Sequence, residues 1–593
     1  MESAEHSVPA RHETVINRRH ALSLLAAPLL GQGIATRGVR PTPRGKPSGL
    51  PWASRLTDIA KQAGLTRPGV YGGVDTKKYI LETIGCGVAF LDYDNDGWLD
   101  IFLLSGTRLE GTPAGATNRL YKNNRDGTFT DVTEKAGLTR TGWASAVAVA
   151  DYNNDGFEDI FITCWGQNIL YRNNGDGTFT DVTAQAGLLA KAPQWGSGCT
   201  WLDYDLDGNL DLVVGNYTPF DLKTAPLPGS ADNCIWKGVS VNCGPRGLPH
   251  GGIALYRNNG DGTFTDVSTQ SGLAKAKSSY VMTTVATDFN NDGWPDIYAA
   301  CDSSPSLLFR NNHDGTFTET ALESGVALNE DGREQAGMGV GLGDYNLDGQ
   351  LDIFKTHFTD DTSILYRNAG DGTFFDQTVT AGLSVETRFV GWGTGIVDLD
   401  NDGYPDLFLV TGHVYPEVEK KVPAYPWKTP RVVFRNLGNG RFEELIDEAG
   451  PGVAAPHSSR GCAFGDFDND GDLDILIMNM NEAPSLLRND VSGDNRWLKL
   501  KLTGTKSNRS AIGARVTVQY GEKRQTQEVV SQSSFYSSSD RRLHFGLGQA
   551  DKADVEIRWP NGSTERYPGL SAGYLITIRE GEGVIAREPF PVR

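Results

Sequence analysis

One acidic nonapeptide occurs seven times in this chain, first as Asp92-Tyr-Asp-Asn-Asp-Gly-Trp-Leu-Asp100 and then from Asp151, Asp203, Asp288, Asp344, Asp398 and Asp466. Every copy keeps Asp at positions 1, 5 and 9, Asp or Asn at position 3, and Gly at position 6. That alternation turns oxygen side chains toward one point in a tight loop, and the glycine allows the sharp turn. A hard cation such as Ca²⁺ takes about six to eight oxygens at about 2.3–2.6 Å, which four side chains, the position-7 carbonyl and water supply. Mg²⁺ suits the set less well, because it demands a stricter octahedron and keeps its waters. The candidate ligands are Asp92, Asp94, Asp96 and Asp100; Asp151, Asn153, Asp155 and Asp159; and Asp203, Asp205, Asp207 and Asp211. The remaining sets are Asp288, Asn290, Asp292 and Asp296; Asp344, Asn346, Asp348 and Asp352; Asp398, Asp400, Asp402 and Asp406; and Asp466, Asp468, Asp470 and Asp474. Up to seven Ca²⁺ ions are therefore expected, which would bring the formal charge from −19 to about −5. An EF-hand is excluded, since no loop has Glu at position 12 and the flanks are short β-type runs rather than amphipathic helices.

The loops must be positioned by strands. Each is preceded by a run such as Gly85-Cys-Gly-Val-Ala-Phe-Leu91 and followed by one such as Leu99-Asp-Ile-Phe-Leu-Leu104. A second signature then follows, clearest as Leu170-Tyr-Arg-Asn-Asn-Gly-Asp-Gly-Thr-Phe-Thr-Asp-Val-Thr183, which reads as strand, Asp-Gly turn, strand. One repeat is thus four strands, A-loop-B and C-turn-D, the blade of a propeller. The seventh repeat lacks its last strand after Asp490, while Arg55-Leu-Thr-Asp-Ile-Ala-Lys-Gln-Ala-Gly-Leu65 matches the D segment Phe129-Thr-Asp-Val-Thr-Glu-Lys-Ala-Gly-Leu138. The expected fold is all-β: a seven-bladed β-propeller over 51–492, closed by the N-terminal strand near 55–60, then a small β-sandwich or barrel domain over 493–593. Closure removes two open sheet edges.

Residues 1–50 read as a signal peptide and disordered linker. Arg18-Arg19 precede an apolar run over 21–30, a layout with a twin-arginine flavour that implies export to the periplasm or the exterior. No later segment approaches the roughly 20 apolar residues that span a bilayer. The acidic balance argues against a nucleic-acid partner. Seven cysteines are too scattered for a disulfide framework, but Cys234 and Cys243, nine apart in one loop of an exported chain, are expected to pair. The C-terminal runs 497–503, 515–520 and 574–579 alternate as strands with one solvated face. The Ser-rich stretch 531–540 reads as an exposed turn or a binding loop.

With loop and blade established, the chain resembles the FG-GAP or VCBS repeat family, which includes the integrin α-subunit propeller. It is more similar to the cartilage acidic protein family, whose propeller precedes an ASPIC/UnbV domain. Asn495-Arg-Trp-Leu-Lys-Leu-Lys-Leu502, Ala511-Ile-Gly-Ala-Arg-Val516, Phe545-Gly-Leu-Gly548 and Val555-Glu-Ile-Arg-Trp-Pro-Asn-Gly562 look like motifs of that domain. The resemblance implies an extracellular location and a binding role.

If the A–B loops lie on one face, the B–C connections lie on the other, with long insertions over 105–118, 217–252 and 412–430. Arg246, His250, His413 and Tyr415 are the candidate ligand contacts there. Two functions follow. The first is a monomeric, non-catalytic extracellular module that binds a protein or glycan and uses Ca²⁺ structurally. The second is an enzyme of secondary metabolism or glycan processing, in which the same four residues would serve as acid, base or anion contacts.

Overall fold

A computed structural model describes residues 38–230, 234–276, 279–445 and 447–590. The Arg18-Arg19 pair and the apolar run after it lie outside the described residues.

The first sheet runs outward from A strand Val88–Leu91 through Asp100–Leu103 and Arg119–Asn123 to D strand Phe129–Asp131. Five more four-strand sets follow, with A strands Trp143–Ala150, Gln194–Leu202, Val281–Thr287, Val340–Gly343 and Gly391–Val397. The second and third sets are joined by a short pairing of Gln194 and Trp195 with Gly166 and Trp165. The seventh set runs from A strand Ser459–Gly465 through Asp474–Asn479 to Ser485–Asn489, and its outer strand is Leu56–Asp58. Within each set all pairings are antiparallel.

The A strands are buried along nearly their whole length, as Trp143–Ala150 and Ser459–Gly465 show. Neighbouring A strands touch in cyclic order, the seventh meeting the first, so the ring is closed. Crowding at the axis selects small residues: a Cβ on Gly461 would lie 2.6 Å from the Cα of Gly87. Farther out, the C–D turn is set by its own side chains. In the second sheet one Asp176 oxygen accepts from the amide and the hydroxyl of Thr178 at 3.0 and 2.6 Å, and the same pair recurs at Asp126, Asp261, Asp314 and Asp371.

The C-terminal residues form two four-stranded sheets. One has the order Leu543–Gly548, Arg496–Thr503, Tyr574–Arg579, Gly583–Pro589, with its central pair parallel. The other has the order Lys523–Glu528, Arg515–Tyr520, Lys552–Arg558, Thr564–Ser571. Alternate residues Leu498, Leu500, Val516, Val518, Val555 and Ile557 are buried.

Two expectations need correction. The Ser-rich stretch 531–540 is not an exposed turn: Ser531, Gln532, Ser534, Phe535, Tyr536, Ser537 and Ser538 are all buried. It enters the ring axis and pairs with the A strands. Trp201 N–H donates to Ser531 Oγ, Cys199 N–H to Gln532 Oε1, Thr394 N–H to Ser534 Oγ and Val147 N–H to the Tyr536 carbonyl. Its hydroxyls satisfy A-strand backbone groups that have no neighbouring strand, which is why a polar segment is buried here. The linker, read as disordered to residue 50, is laid against the ring from Gly38 onward. Val39 N–H donates to the Asp360 carbonyl, Arg44 pairs with Glu444 at 2.6 Å, and Ser48 Oγ donates to Glu443. Its basic and hydroxyl groups meet acidic side chains of the outer strands.

Candidate metal centres and the opposite face

Each nonapeptide joins an A strand to its B strand at the same end of the ring. Position 4 takes the left-handed conformation in all seven copies, from Asn95 at φ 56° to Leu206 at φ 56° and Asn469 at φ 53°, and the position-6 glycine follows it. The backbone so bent aims its amides inward. Asp92 accepts from Asp96 N–H at 2.9 Å and Gly97 N–H at 3.1 Å, and Asp151, Asp203 and Asp466 repeat both bonds. Position 9 does a different job. One oxygen of Asp100 accepts from Asn123 N–H on strand C and the other from Tyr93 N–H, a clamp repeated in every sheet through Asp159, Asp211, Asp296, Asp352, Asp406 and Asp474.

Among the described residues, four loops gather three carboxylates whose oxygens lie within 4.8 Å of one another: Asp92, Asp94 and Asp96; Asp203, Asp205 and Asp211; Asp398, Asp400 and Asp406; and Asp466, Asp468 and Asp474. The loops from Asp151, Asp288 and Asp344 differ because position 3 is Asn. There Asn153, Asn290 and Asn346 donate to Asp155, Asp292 and Asp348 at 2.7–2.9 Å. Burial pushes the carboxyls up, Asp92 to about 6, Asp203 and Asp344 to about 7, and Asp296 to about 8, against the pull of their backbone amides. Burial and mutual repulsion also raise Asp398 and Asp406 well above the usual carboxylate range.

These residues fit a hard cation. Oxygens of Asp94, Asp205, Asp344, Asp398 and Asp400 are buried with no hydrogen-bond partner. A buried carboxylate oxygen without a donor is costly, and a cation inside the loop would satisfy it. Some charge is met by protein. Lys122 reaches Asp94 and Asp96, Arg257 lies 3.0 Å from Asp205, and Lys499 lies 2.6 Å from Asp466, both ends fully buried.

Lys499 comes from the C-terminal sheets, which sit on this acidic face. Arg558 pairs with Asp288, Arg515 donates to the Asp288 and Gly349 carbonyls, Thr526 N–H donates to Asp344, and Lys523 donates to the Asp402 carbonyl.

Sequence reasoning missed one set of residues. The strand-C asparagines Asn123, Asn173, Asn258, Asn311, Asn368, Asn436 and Asn489 each send their side-chain amide to the preceding sheet, to the carbonyls of Phe467, Tyr93, Tyr152, Tyr204, Phe289, Tyr345 and Leu399 at 2.7–2.9 Å. The recurrence of Asn after Arg or Lys in each C strand was the available signal.

At the opposite end Cys234 and Cys243 form a disulfide, and the other five cysteines are buried thiols. The four candidate ligand contacts do not form one surface. Arg246 and His250 line an open groove with Tyr280 and Glu334, Arg246 lying 3.1 Å from Glu334. His413 and Tyr415 are buried with Trp236 and Phe358, and half-buried Tyr425 packs against them. Burial and Arg460 push the His413 imidazole down to about 3, so it stays neutral and does not serve as a proton donor at neutral pH. Among the described residues no helix is long and apolar enough to cross a membrane.

The chain is similar to known proteins in both of its parts. The family described as FG-GAP-like repeat matches residues 92–162, 151–214, 247–299, 288–355, 344–409 and 428–477, and the one described as ASPIC and UnbV matches 504–585. Cartilage acidic protein 1 of Mus musculus is 28% identical over 273 residues, 45% of this chain and 40% of that protein. The Homo sapiens protein is 28% identical over 274 residues, 45% of this chain and 39% of that one, so the match spans about two fifths of these relatives. Among solved structures, an Agrocybe aegerita lectin described as recognising non-reducing terminal N-acetylglucosamine aligns over 67% of this chain and 87% of its own, with TM-score 0.34 and 18% identity. Trypanosoma rangeli sialidase aligns over 74% and 60%, with TM-score 0.32 and 11% identity. With the repeat matches covering more than half of its length and an ASPIC and UnbV segment after them, the chain belongs to the FG-GAP-like repeat family.

Proposed function

We propose that this chain is an exported, calcium-loaded, seven-bladed β-propeller that works as an extracellular binding module. In this reading Ca²⁺ locks the A–B loops, the C-terminal β-sandwich caps the metal face, and the loops over 105–118, 217–252 and 412–430 offer the opposite face to a protein or glycan. Export places the chain where free Ca²⁺ is plentiful and where the Cys234–Cys243 bridge persists. The relationship to cartilage acidic protein 1 supports an extracellular setting.

The observation that carries the metal reading is the set of buried, unsatisfied oxygens on Asp94, Asp205, Asp344, Asp398 and Asp400, each inside a repeated loop. The sixth loop is the sharpest case, since Asp398, Asp400 and Asp406 are all buried and converge. Equilibrium dialysis against micromolar CaCl₂ followed by elemental analysis tests it. Several Ca²⁺ per chain, falling by one in Asp400→Asn, is the expected result. Dialysed protein without bound Ca²⁺ would overturn the reading.

A further inference from the structure

Beyond the tip of the 531–540 segment lies a partly open chamber whose wall includes Tyr415, one of the candidate contacts named above. The segment packs against two of its wall residues, Phe535 edge-on to Trp392 at 5.0 Å and Tyr536 Oη–H against Met282 Sδ at 3.3 Å. Its walls are mostly apolar, built by Met282, Met338, Phe358, Trp392 and Tyr415, and one carboxylate, Asp302, opens into it. The cavity, of about 50 Å³, has room for a small ligand of a few heavy atoms. Gly244 and Pro245, next to the disulfide, form part of the wall nearest the loop face.

Asp302 is buried and holds two hydroxyl donors, Tyr217 Oη–H at 2.6 Å on one oxygen and Ser303 Oγ–H at 2.8 Å on the other. A carboxylate has about four acceptor positions, so roughly two remain for a guest. No cation of the described residues lies within ion-pair distance of it. Arg246, the nearest cation felt by its carboxyl, is committed to Glu334 and the Ser303 carbonyl. Arg460 lies over the Trp392 ring at 4.1 Å and spends its donors on the carbonyls of Thr83, Ser459 and His413.

We propose that this chamber is a binding site for a small organic ammonium ion, its N–H groups on Asp302 and its alkyl body against Met282, Met338 and Phe358. A buried carboxylate without a counter-ion is relieved by a cation that also fills apolar space. Thioether and aromatic walls accept a polarisable alkylammonium well, whereas a divalent metal would find one carboxylate where it needs about six oxygens. An anion is opposed by Asp302 itself. The proposal gives a ligand class to the loop-face binding role and rests on that reading. It is separable from it, because a chain that captures a protein or glycan on its loops without binding an amine refutes the chamber alone.

Isothermal titration of the full, Ca²⁺-loaded chain with ethylammonium, at fixed ionic strength and beside 1-propanol as the neutral control, tests it. Saturable binding of ethylammonium only, weakened at least tenfold in Asp302→Asn, is expected. Ala336→Leu, which narrows the chamber while keeping Asp302, should abolish the signal with Ca²⁺ stoichiometry unchanged, and it serves if Asp302→Asn fails to fold. Absence of saturation, equal binding of 1-propanol, or unchanged affinity in Ala336→Leu would overturn the site; the first of these would mean that Asp302 is met by a proton instead.

Discussion

Two residue types in each repeat do different work: the spaced acids gather oxygens within one loop, and the strand-C asparagines tie each sheet to the one before it. The spaced acids of the nonapeptide read directly as a loop of oxygen ligands, because their chemistry is local to nine residues. The strand-C asparagines read as ordinary strand residues, because their partners lie a sheet away: Asn258 reaches Tyr152, and Asn489 reaches Leu399. Asn258→Ala should cost about 1–3 kcal/mol by leaving buried carbonyls of both Tyr152 and Leu210 short of a donor, read as a lower melting temperature with Ca²⁺ stoichiometry unchanged. An unaltered melting temperature would show that water replaces the bond at no loss. The four candidates Arg246, His250, His413 and Tyr415 illustrate the opposite limit. Residue type singled them out, but only packing separates an open groove from a buried cluster.

At the scale of elements, hydrophobic runs and Asp-Gly turns gave the strands, since each is a matter of alternation over a few residues. The 531–540 segment was misread because polarity predicts exposure only when water is the best hydrogen-bond partner available. Here the inner edges of six A strands supply partners instead. Phe535→Ala removes a fully buried ring stacked on Tyr536 and edge-on to Trp392, so it should destabilise the chain by about 3–5 kcal/mol. A denaturant midpoint equal to that of the parent chain would show that the axis does not depend on this contact.

A second element-scale prediction concerns the C-terminal turn at Glu580. Burial raises its carboxyl, yet the amides of Ser507, Thr505 and Lys506 outweigh burial and hold it below the usual carboxylate range. A depressed carboxylate adds stability above its unfolded value and loses it as pH falls through the folded one. Glu580→Ala should therefore be about 1–3 kcal/mol less stable at pH 7, the gap to the parent closing as pH drops below about 4. A gap independent of pH would contradict the assignment.

For the whole molecule, a repeat with one displaced outer strand is enough to predict a ring, because closure is the arrangement that leaves no sheet edge bare. Where the C-terminal sheets dock was not legible, since Lys499, Arg515, Lys523 and Arg558 are ordinary strand residues until the acidic face is placed beneath them. Their docking makes loop charge a property of the entire molecule: in the proposed calcium-loaded state, metal and C-terminal cations together would neutralise one face, so loss of metal should be felt by ring and cap alike.

Thermal unfolding with Ca²⁺, with EGTA, and with EGTA followed by excess Ca²⁺ tests this account most directly. Ligand bound only to the folded chain adds about 2.7 kcal/mol per independent site at a hundredfold excess over Kd. The account predicts a melting temperature that falls sharply in EGTA and returns with Ca²⁺ more fully than with Mg²⁺. An EGTA melt that superimposes on the Ca²⁺ melt would contradict it.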